Sequence, residues 1–413
     1  MSNILYIGSG FDQISKIFDG HNVYKVYVPE NQISVEKVKD NNLRLDLGSI
    51  DIIYCELINS IPTLLELIRN GYKKPIILVP HINPYPLRNL LLVLTFLQKT
   101  VGQSIIVCGS SGSSKIYNEF FGINPVVLPT YGIDKEVFCN HGKQLSRKIL
   151  GLDSKSKIIL YTGRIAPDKN IGGVFATYSY LSKHVQNLRL VISYKKKEDR
   201  YLQNLVSSYK PENLVLISSE MSQLKYVYSA ADVFISCSTS YFETFGRSPL
   251  EANACHLPTI VPDWVGFNSY LNNNNSDLID VDFFNEQLYD DKNYAMVDLE
   301  KLAETSRMYI ENDDSEYEDI IEEHLEQKVV FEDYKNLIKI VLDKDNYEYL
   351  KSHINYTYKL NKFLEGLLQN LELQENDNVI DQINNLDSSL FDKFDYKELF
   401  YLMFKDKANI NLK

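Results

Sequence analysis

Two glutamates eight positions apart, Glu243 and Glu251, lie in the stretch YFETFGRSPLEANACHLPTIVPD (residues 241–263). Between them stand Phe245, Gly246, Arg247 and Pro249. A residue before proline is pushed out of the α region, and proline suits the first helical position. The sequence therefore predicts a helix that begins at Pro249 with Ser248 as its N-cap. Ser-x-x-Glu is then a capping box, which gives Glu251 a purely structural use. It gives none to Glu243, which stands ahead of the turn, beside Gly246 and a helix N-terminus that attracts anions. A carboxylate at an anion site is unfavourable unless it binds something else, such as sugar hydroxyls.

The stretch GRIAPDKN (163–170) holds the complementary charges. Gly163 ends an expected strand, and Arg164 and Lys169 follow it across a loop with Pro167. Two cations at the carboxyl end of a parallel strand suit a diphosphate, arginine as a fork and lysine as a point charge. Alone, they read more readily as a pair of solvated surface cations. Gly8-Ser9-Gly10 follows the first expected strand and either lets backbone approach a phosphate or makes a plain strand-end turn. It is not a dinucleotide fingerprint, because Gln13 stands where GxGxxG has its third glycine. His81, in VPHINPY, is open to a structural or a functional reading, and Ser110, Ser111 and Ser113 form a post-strand loop with no role assigned.

The elements that must position these groups are legible as two series of apolar runs. Asn3–Ile7, Asp51–Cys55, Pro75–Val79, Ser104–Cys108 and Val126–Leu128 are continuous apolar runs separated by helical patterns. Such runs read as parallel strands covered on both faces. After a polar, loop-like break at Asn140–Leu152 the pattern restarts with Lys157–Tyr161, Leu188–Ser193, Asn213–Ile217, Asp232–Ser236 and Thr259–Val261. Two doubly wound α/β domains are expected, 1–145 and 150–328, with ligands at the carboxyl ends of the strands and the linker near 140–152 as the hinge. Residues 329–413 are expected to be helical, with no chemistry apparent over 346–413, and the acidic run from Glu311 to Glu326 reads as a solvated helix or loop.

Composition narrows the class. The chain has 413 residues, 44% of them hydrophobic, enough for two or three cores. A net charge of −12 argues against nucleic acid or a general anionic-membrane surface. Five scattered cysteines without a CxxC pair imply a reduced, cytoplasmic protein with no zinc site. MSNILYIGSG lacks a basic n-region ahead of an apolar core, so no signal peptide is expected. The longest apolar stretch, Leu90–Leu97, falls short of the roughly 18–20 residues that a membrane span needs.

Together these stretches carry a family likeness. ETFGRSPLEA preceded by YSAADVFISCS resembles the E-x7-E signature of retaining glycosyltransferases of family 4, which have the GT-B fold. YTGRIAPDKN resembles the same family's strand, glycine, arginine and lysine segment, and LPTYGIDKEVF its linker-proximal turn. VVFEDYKNLIKIVL (329–342) resembles the helix that crosses back to the first domain. The resemblance implies an α/β GT-B fold, two Rossmann-like domains facing a cleft. It implies that Glu251 holds the donor ribose, Glu243 the donor sugar, Arg164 and Lys169 the diphosphate, and backbone N–H groups at Phe245, Gly246 and Arg247 the sugar or distal phosphate. His81 stands where the family often has a histidine near sugar and acceptor. Gly163 would close the donor turn, with Gly8 and Gly10 the first-domain loop. No DxD motif is present, and no metal or other cofactor is implied. UDP-sugars are the default donor, GDP- or ADP-sugars the alternatives; the acceptor is a glycan, lipid-linked or small-molecule hydroxyl, as in polysaccharide or glycoconjugate assembly, with peripheral membrane contact left open. The competing reading is a non-catalytic GT-B-like subunit that binds a partner protein. Departures from the family pattern are His256 and Asn170 where glycine is usual, and Tyr131 where asparagine is common.

Overall fold

A computed structural model describes residues 1–27, 46–84, 87–100, 102–194, 200–218, 220–240, 242–271, 276–283, 295–312 and 321–354. The described residues divide into two compact units, Met1–Tyr131 with Val329–Ile354, and Gly132–Lys328.

Unit 1 is built on a six-stranded sheet of β1 (Asn3–Gly8), β2 (Asn22–Tyr27), β3 (Ile52–Glu56), β4 (Ile76–Val79), β5 (Ser104–Cys108) and β6 (Val126–Val127). The spatial order is β2-β1-β3-β4-β5-β6 and every pairing is parallel. β3, β4 and β5 are buried at every position, as strands covered on both faces must be. β2 escapes the sequence reading because NVYKVY is an edge strand whose residues are mostly exposed. The helix Gln327–Leu342 lays Val330, Phe331, Tyr334, Leu337, Ile338 and Val341 into the same core as Ile4, Tyr6 and Tyr54. Beyond it the helix Lys344–Ile354 is followed by residues outside those described, so the helical expectation for 346–413 is met to Ile354 only. Most of the expected acidic run, 313–320, also lies outside the described residues.

Unit 2 repeats the plan with β7 (Lys157–Thr162), β8 (Leu188–Tyr194), β9 (Leu214–Ser218), β10 (Val233–Ile235), β11 (Thr259–Pro262) and β12 (Ser276–Ile279). Their order is β12-β11-β10-β7-β8-β9, again all parallel. Ile159, Leu190, Ile235 and Ile260 from four strands pack with Val174, Phe175 and Leu181 from one covering helix. In both sheets the chain leaves a central strand to opposite sides, so each has a switch point, β1/β3 in unit 1 and β7/β10 in unit 2. Crevices at such points bind ligands outside the carboxyl ends of the strands.

The break at 140–152 is not a loop. Lys143–Leu150 is a helix closed by Gly151 in the left-handed conformation. Its polar sequence hides one buried anchor. Arg147 donates to Asp232 Oδ2 at 2.8 Å and to the Ala230 carbonyl at 2.9 Å, while Asp232 also receives the Ile158 N–H at 2.7 Å and Lys143 at 2.8 Å. The helix is thus fixed in unit 2, and the division expected at 145–150 falls instead at Tyr131/Gly132. Just past it, Ile133 exchanges backbone hydrogen bonds with Leu325 and Gln327, both at 2.8 Å. Among the described residues no helix is long and apolar enough to cross a membrane.

Candidate donor and sugar sites

In unit 2 the loops after β7 and β10 hold the charged residues singled out above. Lys169 and Glu243 form an ion pair at 2.6 Å, with side chains 16% and 13% exposed. Arg164, largely exposed, donates to Asp168 Oδ2 at 2.8 Å, and Lys169 lies 4.0 Å from the same oxygen. Arg247 Nη2 stands 3.5 Å from Glu251 Oε1. All three cations therefore have carboxylates beside them. Asp168 was not identified from sequence; a buried acid between two cations is visible only once the short helical turn Pro167–Lys169 places it there.

The backbone that carries these groups is held from below. Asn170, with φ +45°, caps the helix Ile171–Leu181 by accepting from Gly173 N–H at 3.2 Å and donates to the Cys237 carbonyl at 3.0 Å. Trp264 donates its indole N–H to the Ser240 carbonyl at 2.8 Å, which fixes the loop before Glu243. At Gly163 the Tyr161 hydroxyl donates to the Arg164 carbonyl at 3.0 Å. Burial, with Glu243 and Asp168 next in effect, pushes the Tyr161 hydroxyl well above the ordinary tyrosine value, so it stays a donor.

The turn between the glutamates differs from the capping box expected. The helix is Arg247–Ala254, its N-cap is Gly246 at φ +88°, and no side chain caps it. Any Cβ at Gly246 would overlap the Phe267 ring, and the Gly246 carbonyl accepts the Tyr270 hydroxyl. The tight turn starts the helix two residues before Pro249, so Ser248 lies inside it. Glu251 is buried and accepts from the Tyr228 hydroxyl at 2.8 Å, which also meets Thr162 Oγ1 at 2.6 Å. Burial, then the charge of Glu251, holds the Tyr228 hydroxyl protonated far above its ordinary value. Tyr228 was passed over in the sequence because it lies in a helical run before β10. Phe245 is buried with its ring 4.9 Å from that of Tyr270.

In unit 1, Gly8, Gly10 and His81 come together around a residue that sequence reasoning missed. Glu56 ends β3 and is 1% exposed. Its Oε1 receives the Tyr131 hydroxyl at 3.0 Å and lies 3.3 Å from His81 Nε2, and its Oε2 receives the Tyr6 hydroxyl. The Gly10 N–H donates to the Tyr6 oxygen at 2.9 Å. A Cβ at Gly10 would come 2.8 Å from Glu56 Oε2 and 2.9 Å from the Tyr131 hydroxyl. The loop is thus packed on the carboxylate. A phosphate there would meet a buried negative charge, with the Gly10 donor already taken. Burial alone would raise the Glu56 pKa. The hydrogen bond and charge of His81, with Tyr6 and Tyr131, outweigh it and hold the group below the usual carboxylate value. One glutamate at the end of an apolar strand gives no motif to find. Ser110, left without a role, caps the helix Ser111–Phe121 by accepting from Ser113 N–H at 3.2 Å.

Two Rossmann-like units with parallel sheets define the GT-B fold. A solved sucrose-phosphate synthase from Thermosynechococcus elongatus shares it with a TM-score of 0.57, at 14% identity over 90% of this chain and 100% of that one. Residues 142–313, most of unit 2, match the family described as glycosyl transferases group 1. Over 173 residues the chain is 32% identical to alpha-monoglucosyldiacylglycerol synthase of Streptococcus pneumoniae, covering 40% of this chain and 36% of the relative. Over 189 residues it is 25% identical to D-inositol 3-phosphate glycosyltransferase of Stackebrandtia nassauensis, covering 42% of each. The match therefore spans well under half of either relative's length.

Proposed function

We propose that this chain is a retaining glycosyltransferase that moves a sugar from a nucleoside-diphosphate sugar, by default a UDP-sugar, to an acceptor hydroxyl without a divalent metal. The observation that carries the reading is the 2.6 Å pair of Lys169 and Glu243 at the β7/β10 switch point, with Glu251 buried one helix turn beyond. The pair satisfies both charges. A diphosphate of about −2 draws Lys169 to itself, because its charge is about twice that of one carboxylate. Glu243 is then released to accept from hydroxyls of the donor sugar. Arg164 adds a second cation, and the N–H groups at Gly246 and Arg247 add the helix N-terminus. These fixed charges stabilise the leaving diphosphate as the glycosidic bond breaks. Glu251, held by Tyr228, accepts from the ribose hydroxyls. The leaving phosphate takes the acceptor's proton on the same face, which retains configuration. Gly8 and Gly10 serve as packing residues and not as phosphate ligands.

The test is a screen of UDP, GDP and ADP by thermal shift, followed by transfer assays with sugars of the nucleotide that binds. A ligand that binds the folded state raises stability by RT ln(1 + [L]/Kd). One nucleoside diphosphate should raise the melting temperature and its sugars should turn over. If none of the three shifts the transition and no donor is consumed, the chain is instead a binding subunit on a transferase scaffold.

A further inference from the structure

One stretch of chain grips the turn between the two glutamates of unit 2 at four points. It lies between β11 and β12, and its Trp264, Gly266, Phe267 and Tyr270 are all buried. Trp264 donates to the Ser240 carbonyl at 2.8 Å, ahead of Glu243. Gly266 lies so close to Phe245 that a Cβ on it would come 2.6 Å from the Phe245 backbone nitrogen and 2.8 Å from its Cα. The Phe267 ring leaves no room for a Cβ at Gly246. Tyr270 lays its ring 4.9 Å from that of Phe245 and donates its hydroxyl to the Gly246 carbonyl.

The last of these grips acts on orientation. Glycine turns its peptide planes more freely than any other residue, and at φ +88° and ψ +77° no side chain caps the helix that Gly246 begins. A trans peptide points its C=O and its N–H in opposite directions. A hydroxyl held on the Gly246 carbonyl therefore turns the Arg247 N–H away from Tyr270. The Gly266 contact fixes the chain on the other side of the glycine. Between the two lies the Gly246 N–H, which meets no acceptor among the described residues. Lys169, paired with Glu243 at 2.6 Å, brings a cation to the loop that leads into the same turn. A phenylalanine at 270 would fill the same space, so what the hydroxyl adds is its hold on the carbonyl. Burial, then the charges of Glu243 and Glu251, pushes that hydroxyl well above the ordinary tyrosine value and keeps it a donor.

We propose that Tyr270 is a positioning residue whose hydroxyl locks the Gly246–Arg247 peptide plane, so that the N–H groups of this turn are aimed at a diphosphate before it binds. The nucleotide that carries the diphosphate rests on the transferase reading above; the locked plane does not. The experiment is an amide spectrum of the full chain labelled with nitrogen-15 glycine and carbonyl-carbon-13 phenylalanine, titrated with inorganic pyrophosphate. Only Gly122 and Gly246 follow a phenylalanine, and Gly122→Asn removes the other signal. The wild-type Gly246 signal should move as pyrophosphate binds. In Tyr270→Phe the same signal should start elsewhere and need at least about tenfold more pyrophosphate, part of the loss that follows removal of one preorganised donor. With the donor found above, Tyr270→Phe should also lower kcat at least about tenfold while the Kd for the bare nucleoside stays unchanged, a split that general loosening of the fold would not give. A wild-type Gly246 signal that pyrophosphate leaves unmoved overturns the proposal even if Tyr270→Phe does not fold. Equal pyrophosphate affinity in a folded Tyr270→Phe, or an unchanged kcat, overturns it as well. If the wild type binds no nucleotide and consumes no donor, the transferase reading fails and the pyrophosphate titration still decides the role of Tyr270.

Discussion

The two switch points use carboxylates in opposite ways. At β7/β10, Lys169 and Glu243 pair where each keeps some solvent contact, at 16% and 13% exposure. At β1/β3, Glu56 is 1% exposed and its oxygens are filled by Tyr6, Tyr131 and His81. An ion pair that keeps some contact with solvent can change partners at a lower desolvation cost than a group sealed from water. A buried carboxylate with every oxygen occupied cannot leave its donors without a large desolvation penalty. The first arrangement suits a group that must hand itself to a ligand, the second a group that holds another side chain still.

The largest effect should come from breaking the exchangeable pair. In Lys169→Ala, Glu243 keeps its charge without its lysine, and turnover should fall roughly 100- to 1,000-fold, the range seen when one stabilising donor is removed. Adding Glu243→Gln should restore part of the diphosphate affinity, a non-additivity expected of residues in contact. Steady-state kinetics and calorimetry on the single and double variants check this; additive losses would mean that the pair is only structural.

Next in size is Glu251. Glu251→Ala should weaken nucleoside diphosphate binding by about 10- to 100-fold, the worth of hydrogen bonds to a charged group. Tyr228→Phe, which removes the donor at 2.8 Å, should weaken it by about 3- to 10-fold. Titration calorimetry ranks the two. A Tyr228→Phe loss as large as that of Glu251→Ala would show the tyrosine binding ligand itself.

Acid should separate the switch points by stability. The groups facing Glu56 are Tyr6 from β1, His81 after β4 and Tyr131, with Tyr54, Cys55 and Tyr334 in its field. Its folded pKa lies below the ordinary value of 4.5. Its contribution is therefore fully present above that value and is lost as pH falls through the folded pKa. Melting curves from pH 6 downward should show the wild type losing stability more steeply below about pH 4.5 than Glu56→Gln does. Parallel curves would deny the carboxylate its depressed pKa. The smallest effect expected is none at all: if Lys169, Arg164 and the helix N-terminus at Gly246 supply the charge for the diphosphate as proposed, EDTA should leave transfer intact. Loss of activity restored by Mn²⁺ or Mg²⁺ would reveal a metal in the reaction.

The sequence made much of this readable and hid the rest for physical reasons. Ten apolar runs mark ten of the strands, most of them because a covered parallel strand must be apolar throughout, while β6 and β9 are apolar edges with partly exposed residues. β2 was missed as a mostly exposed edge, and Lys143–Leu150 because its one buried anchor, Arg147, looks like a surface residue. Glu243, Lys169 and Glu251 stood out by spacing, but their pairing did not, since Lys169 and Glu243 are 74 residues apart. Ser248 looked like a cap because the rule at Pro249 is local, whereas Gly246 and the rings of Phe267 and Tyr270 set the turn from 21 and 24 residues away. The three departures from the family pattern share one property: Asn170, His256 and Tyr131 all have positive φ, at 45°, 59° and 63°. Each sits in the left-handed region, which glycine and asparagine enter more readily than other residues.

The partner exchange at Lys169 is the centre of the account, and one titration tests it: the affinity of the full chain for a nucleoside diphosphate against that for the same nucleoside, in wild type and in Lys169→Ala. The wild type should prefer the diphosphate strongly, and the preference should collapse in Lys169→Ala while nucleoside affinity, proposed to rest on Glu251, holds. A preference of equal size in both proteins would contradict the exchange and return the 2.6 Å pair to a merely structural role.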